Sequence, residues 1–315
     1  MIFEARGLFV SMGVFGVLYC IFSLLVAAGW RCVGPLQKRM TASGLARLLF
    51  WVRISPAVLS ALLTLAYVLP AFLLLEGGPD EDLGTLLFGI CSVLLLCAAV
   101  FRMVTTQSRT QGLVSTWMSK VTVLDCTTTV PTFQAKAGAP PLLVYGVRSP
   151  LILVSEAAVS LLSRDELRVS VQHEVEHTHS HDNLKKLIVH ACPFPGMGSL
   201  DRAWQEASEL AADNAAVSTR QEALDLAAAL IKLSQLAPLH LPPAFTTGLV
   251  NSATPVSLRV ERLLDWNGSE SRSWGLRAWF LVPLTLMTLI MARYTVDDYT
   301  RALSFTHHLT EWFVR

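Results

Sequence analysis

The stretch HEVEHTHSH places four histidines within positions 173–181. On a helix, His173, His177 and His181 share one stripe, because residues four apart sit one turn above each other. Two overlapping pairs could therefore grip a metal. Imidazoles one turn apart can bind a single zinc ion at about 2.0–2.1 Å, and a glutamate directly after the first histidine stands beside the metal, placed to take a proton from water there. Glu174 follows His173, whereas Thr178 follows His177 and cannot act as a general base. His173 and His177 are thus the expected ligand pair and Glu174 the expected base. H-E-x-x-H arises by chance in on the order of one chain in a hundred of this length, so its surroundings must decide.

A catalytic zinc takes three protein ligands and keeps one open position. The segment ELAAD supplies Glu209 and Asp213, one turn apart. Glu209 can ligate, while Asp213 can accept a hydrogen bond from the far nitrogen of a ligating histidine and fix its tautomer. Glu206 is a rival ligand but has no acid one turn later. The alanines at 211, 212, 215 and 216 would let this helix approach the first closely. The expectation is one Zn2+ per chain. His179 and Glu176 read as solvated polar positions, and His190, His240, His307 and His308 have no partner at ligand spacing.

The elements that must position these residues are also readable. Ser163-Arg164-Asp165-Glu166 is a capping box, and Leu167, Val171 and Val175 continue from it as an apolar stripe, so the motif belongs to the later turns of a helix. Before it, KVTVLD, PLLVY and LILVS read as strands, the last two closed by the turn-rich link GVRSP. After it, CPFPG breaks the chain, a helix starts near Ser199, another covers 224–236, and SLRVERLL makes a last short helix beyond the proline-rich APLHLPPAF.

The rest of the chain is apolar. Of 315 residues, 52% are hydrophobic and only 16% charged, and mean hydropathy is +0.48. Blocks at 7–30, 54–75 and 83–101 can each cross a hydrocarbon core of roughly 30 Å. A fourth, at 276–293, is shorter, with Arg277 and Arg293 placed to snorkel. Trp30, Trp51, Trp279 and Tyr294 stand near block ends, where aromatic belts form. The first block is too long for a cleaved signal peptide and lacks its cleavage site. Arg31, Lys38, Arg39, Arg47 and Arg53 follow the first block without an acid, whereas EGGPDED joins the next two. The positive-inside rule then puts the N-terminus outside, residues 102–275 in the cytoplasm and the tail 294–315 outside, in a plasma (inner) membrane. The expected fold is a mainly α membrane protein, with four transmembrane helices and a cytoplasmic α+β zinc-binding domain between the third and fourth. A net charge of +1 gives no electrostatic case for nucleic acid. The six cysteines lack C-x-x-C spacing and read as small buried apolar residues.

H-E-x-x-H on one helix and E-x-x-x-D on a later one, between membrane spans, resembles the gluzincin-type integral membrane metallopeptidases. Within them, Asp182-Asn183 after the second histidine and APPLLVYGVRSPLILVS before the motif are similar to the BlaR/MecR antirepressor branch. The HtpX and CAAX-prenyl-protease branch is more distant, since it carries histidine-proline where this chain has Thr254-Pro255. The resemblance implies zinc ligands His173, His177 and Glu209, base Glu174 and supporting Asp213. It also implies that Arg259, rather than Arg262, holds substrate or oxyanion, and that Leu151, Ile152, Leu153 and Val154 pair with an extended substrate backbone. Substrates would be a cytoplasmic repressor or other regulator, a membrane protein or the chain itself. The short tail leaves no place for the antirepressors' extracellular sensor, so β-lactam sensing is not expected. Two rival readings are a non-catalytic membrane scaffold with a structural zinc, and a metal sensor using HTHSH as a flexible chelating tract.

Overall fold

The computed structural model describes residues 2–30, 40–71, 83–119, 121–124, 128–135, 139–236, 255–268, 301 and 304–305. Three of its helices are long and apolar enough to cross a membrane: Gly7–Gly29, Ala42–Ala71 and Gly89–Met118. The first lies in α1 (Ile2–Gly29). The second comprises α2 (Ala42–Leu63) and its continuation through a π-helical turn at Thr64–Val68. The third lies in α3 (Leu83–Met118). The expected fourth span at 276–293 falls outside the described residues.

Helix α1 packs against both of the others. A glycine allows the α1–α3 approach, since a Cβ on Gly89 would stand 2.6 Å from the Phe9 carbonyl oxygen. The outward faces expose Leu24, Leu25, Leu94, Leu95 and Phe101, surface that lipid tails would cover.

Two boundaries differ from those expected. Helix α2 begins at Ala42, capped by the Thr41 side chain, and α3 runs on to Met118 through the polar stretch read as a connector. The 30 residues of the second apolar helix measure roughly 45 Å, well beyond a hydrocarbon core of about 30 Å. Its first turns dock instead on protein, where Ala46, Leu49, Phe50 and Ile54 share a buried cluster with Leu200, Trp204 and Ala207.

A four-stranded sheet follows: β1 (Val121–Val123), β2 (Thr132–Ala135), β3 (Leu142–Tyr145) and β4 (Leu151–Ser155). Strand β2 was not foreseen, because TFQA is only four residues long and its alternation is too short to stand out. The order is β1-β2-β4-β3, with β4 parallel to β2 and antiparallel to β3. Gly146, at φ 101°, opens the link from β3 to β4, and a Cβ there would meet the Ser149 carbonyl. Both faces of β3 and β4 are covered. Leu142, Val144, Ile152 and Val154 enter the main core, while Leu143 and Leu153 meet Val114 of α3. This two-sided burial explains why LILVS is apolar throughout rather than alternating.

The remaining helices are α4 (Glu156–Leu161), α5 (Arg164–His179), α6 (Asp182–Ala191), α7 (Gly198–Ala216), α8 (Arg220–Ser234) and α9 (Val256–Leu264). The capping box starting α5 is present: Glu166 Oε2 accepts from Ser163 N at 2.7 Å, and Ser163 Oγ accepts from Glu166 N at 3.3 Å. Val169, Val171 and Val175 of α5 pack with Leu226, Leu230 and Leu233 of α8 and with the sheet, fixing the helix that carries the histidines.

Candidate metal centre

Helices α5 and α7 bring His173, His177 and Glu209 together into a group that could hold a metal ion. The two Nε2 atoms lie 3.1 Å apart, and Glu209 oxygens stand 3.6 Å from that of His173 and 3.7 Å from that of His177. Ligand bonds of about 2.0–2.1 Å in a tetrahedral set separate donor atoms by about 3.3–3.4 Å. The two imidazole nitrogens are near that spacing, Glu209 turns a different oxygen toward each, and one donor atom from each residue lies within 4.8 Å of the others. Ala212 and Ala216 of α7 are buried, as the approach of α7 to α5 requires.

Each far ring nitrogen stands beside a carboxylate. His173 Nδ1 is 3.0 Å from Asp213 Oδ1, and His177 Nδ1 is 2.7 Å from Asp182 Oδ2. A carboxylate at Nδ1 favours the proton there, which leaves the Nε2 lone pairs for a metal. Asp182 also accepts from Ser208 Oγ of α7 at 2.5 Å and from Lys185 Nζ at 3.0 Å, so it ties α5, α6 and α7 together.

Asp182 escaped the sequence reading because it lies five residues after His177, off the stripe of a straight helix. The fold recovers it by breaking the helix. His181 adopts φ 55°, ψ 38°, a left-handed conformation between α5 and α6, and the chain turns so that Asp182 faces back to His177. The sequence signal was the DN pair noted in the antirepressor resemblance, without a role.

Arg259 is placed differently from its expected role of holding substrate or oxyanion. It is fully buried on α9, donating from Nε and Nη2 to Asp213 at 2.8 and 2.5 Å, and its Nη1 is 3.2 Å from Glu209 Oε2. All three guanidinium nitrogens are engaged by the two carboxylates, which places Arg259 behind the His173, His177 and Glu209 group. The strand expectation is also corrected. Residues Leu151, Ile152, Leu153 and Val154 form the inner strand β4, hydrogen-bonded to β2 on one edge and β3 on the other, which leaves no edge for a substrate backbone. Glu206 is half-buried and outside the ligand group, and His179 and His181 are exposed.

The centre is buried, with charges of both signs in contact. His173 and Glu174 are 0% exposed, His177 2% and Glu209 5%. Burial by itself would push the Glu209 carboxyl up, but His177, His173 and Arg259 outweigh it and hold it well below the usual range. Burial likewise opposes ionisation of Asp213, and Arg259 reverses it. His177 is pushed up to about 10 against its own burial, by Glu209 and Asp182. Burial raises Glu174, whose two oxygens have no hydrogen-bond partner. Converging imidazole nitrogens, an ionised Glu209 and an unpartnered buried carboxylate form a donor set suited to a divalent cation with a basic group alongside. No protein-family model matches the chain, and no curated protein matches it either.

Proposed function

We propose that the chain is an integral membrane zinc-dependent endopeptidase of the gluzincin type, one zinc ion per chain, held by His173, His177 and Glu209. The observation that carries this reading is Glu174. It directly follows the first ligand, is completely buried, and has no partner for either oxygen. Such a carboxylate is costly unless a proton or a reacting group meets it. When bound, zinc supplies a Lewis acid for the scissile carbonyl and for the acidity of water.

The chain's own residues do the rest. Glu174, raised by burial, takes the proton of the attacking water and delivers it to the leaving amine. Asp213 and Asp182 hold the imidazoles in the ligating tautomer. Arg259 keeps Asp213 and Glu209 ionised from behind. The basic charges between the first and second apolar blocks, against the acidic hairpin EGGPDED, support a cytoplasmic centre close to the membrane. The substrate is then a cytoplasmic regulator or repressor, a membrane protein or the chain itself.

Complete burial of the centre favours a second reading, a non-catalytic scaffold with a structural metal. One experiment separates the two: zinc content and cleavage of a casein-like substrate or of the chain itself, in nanodiscs, for wild type and Glu174→Gln. The peptidase reading expects zinc in both proteins and cleavage only by the wild type. Zinc in both and cleavage in neither supports the scaffold, and absence of zinc from both overturns the site.

A further inference from the structure

A cleft of about 400 Å³ lies between the outer edge of β3, the turn that follows it, and the junction of α5 with α6. One wall is the metal ligand His177, so the cleft adjoins the proposed active centre. Its chemistry is one-sided. The side-chain amide of Asn183 donates to the carbonyls of Val144 at 3.3 Å and Gly146 at 3.2 Å. These are acceptors on the outer edge: Ser155 N bonds Pro141 O, so odd-numbered residues of β3 face β4 and the even-numbered ones face away. Asn183 thereby takes two acceptors that an added strand would need. Its own Oδ1 is buried without a hydrogen-bond partner.

The charged and exposed imidazole side chains of the lining run the same way, beside the hydroxyls of Thr129 and Thr178. Arg148, His179 and His181 border the cleft, and among the described residues lining it there is no aspartate or glutamate. His181 is the described non-glycine residue with a left-handed backbone, φ 55°. Such a conformation is strained for a residue with a side chain, and strain of this kind collects at functional sites. Glycine would make the same turn without that cost, but would bring no side chain to the cleft.

We propose that this cleft binds a carboxylate of the peptide substrate, with Arg148 and His181 as its donors. The inference rests on the peptidase reading for the word substrate, but its test does not depend on turnover. The protein is the zinc-loaded full chain carrying Glu174→Gln, in nanodiscs. The probes are three fluorescent peptides of one sequence, read by anisotropy: one with a central Glu and an amidated end, one with Gln there and an amidated end, and one with Gln and a free C-terminal carboxylate.

A charge-assisted pair should make one of the carboxylate peptides bind about tenfold tighter than the neutral one. Preference for the Glu peptide assigns the cleft to an acidic side chain, and preference for the free end assigns it to a chain terminus. Arg148→Gln should reduce the preference to about twofold or less. His181→Gly should weaken it too, while leaving the melting temperature unchanged or higher, a split that a merely structural histidine would not produce. Equal affinity for all three peptides, or binding of none, overturns the proposal. Failure of the wild type to cleave any peptide, with the carboxylate preference intact, would instead count against the peptidase reading alone.

Discussion

The contact between the apolar helix α2 and α7, the helix that carries Glu209, predicts an asymmetric response to mutation. Arg53 of α2 donates from Nε to Asp201 Oδ1 of α7 at 2.6 Å, and from Nη2 to the Cys192 carbonyl at 2.9 Å. Its side chain is 3% exposed, against 28% for that of Asp201. Breaking a buried pair from one side costs about 3–5 kcal/mol, because the other charge is left uncompensated. The residue left behind differs between the two single variants. Asp201→Asn leaves a buried guanidinium and should cost about 3–4 kcal/mol, in the buried-pair range. Arg53→Met leaves an aspartate that water already reaches, so about 2 kcal/mol is expected, between the buried and exposed limits. The double variant leaves no orphan charge and should be more stable than Asp201→Asn alone.

Intrinsic tryptophan fluorescence during thermal unfolding in nanodiscs reads this series, since Trp204 is buried in the same seam beside Phe50. The expected shifts are roughly 2–4 °C per kcal/mol. Glu209 lies two turns beyond Asp201 on α7, roughly 12 Å along the axis, so zinc loss to a chelator should follow the same order. An Arg53→Met variant less stable than Asp201→Asn, or a double variant worse than both, would refute the burial argument.

Three further outcomes follow from the centre. Asp182→Asn keeps an acceptor for His177 but removes the charge, and zinc affinity, measured by chelator competition, should fall about 10–100-fold with one ion still bound at saturation. Arg259→Met strands Asp213 and Glu209, and the zinc-free protein should lose about 3–5 kcal/mol in denaturant unfolding; an unchanged midpoint would show that the guanidinium contributes nothing. His177 sits at about 10 when folded against 6.5 ordinarily, so its proton stabilises the zinc-free fold fully below about 6.5. That stabilisation should fade as pH rises from 6.5 to about 10. Melting curves of zinc-free protein across this window should decline, whereas zinc replaces the proton and should flatten them; a flat zinc-free profile would contradict the shift.

The sequence by itself determined what is local. The capping box at Ser163, the i,i+4 spacing of His173 and His177, the pairing of Glu209 with Asp213, and three of the apolar blocks were all legible, because helical periodicity, caps and length are properties of one segment. What remained depended on which distant segment came alongside. LILVS reads the same at a sheet's edge or at its centre, and only the unforeseen pairing with TFQA put β4 inside. Arg259 looks like a solvated helix arginine until Asp213 and Glu209 meet it, and Arg53 looks like a loop charge until Asp201 does. Asp182 reaches His177 through one left-handed residue that no helical stripe describes. A sequence pattern states which face of an element is apolar or charged. The burial of that face, and the partner that neutralises it, are decided by tertiary packing, because desolvation and pairing depend on atoms far away in the chain.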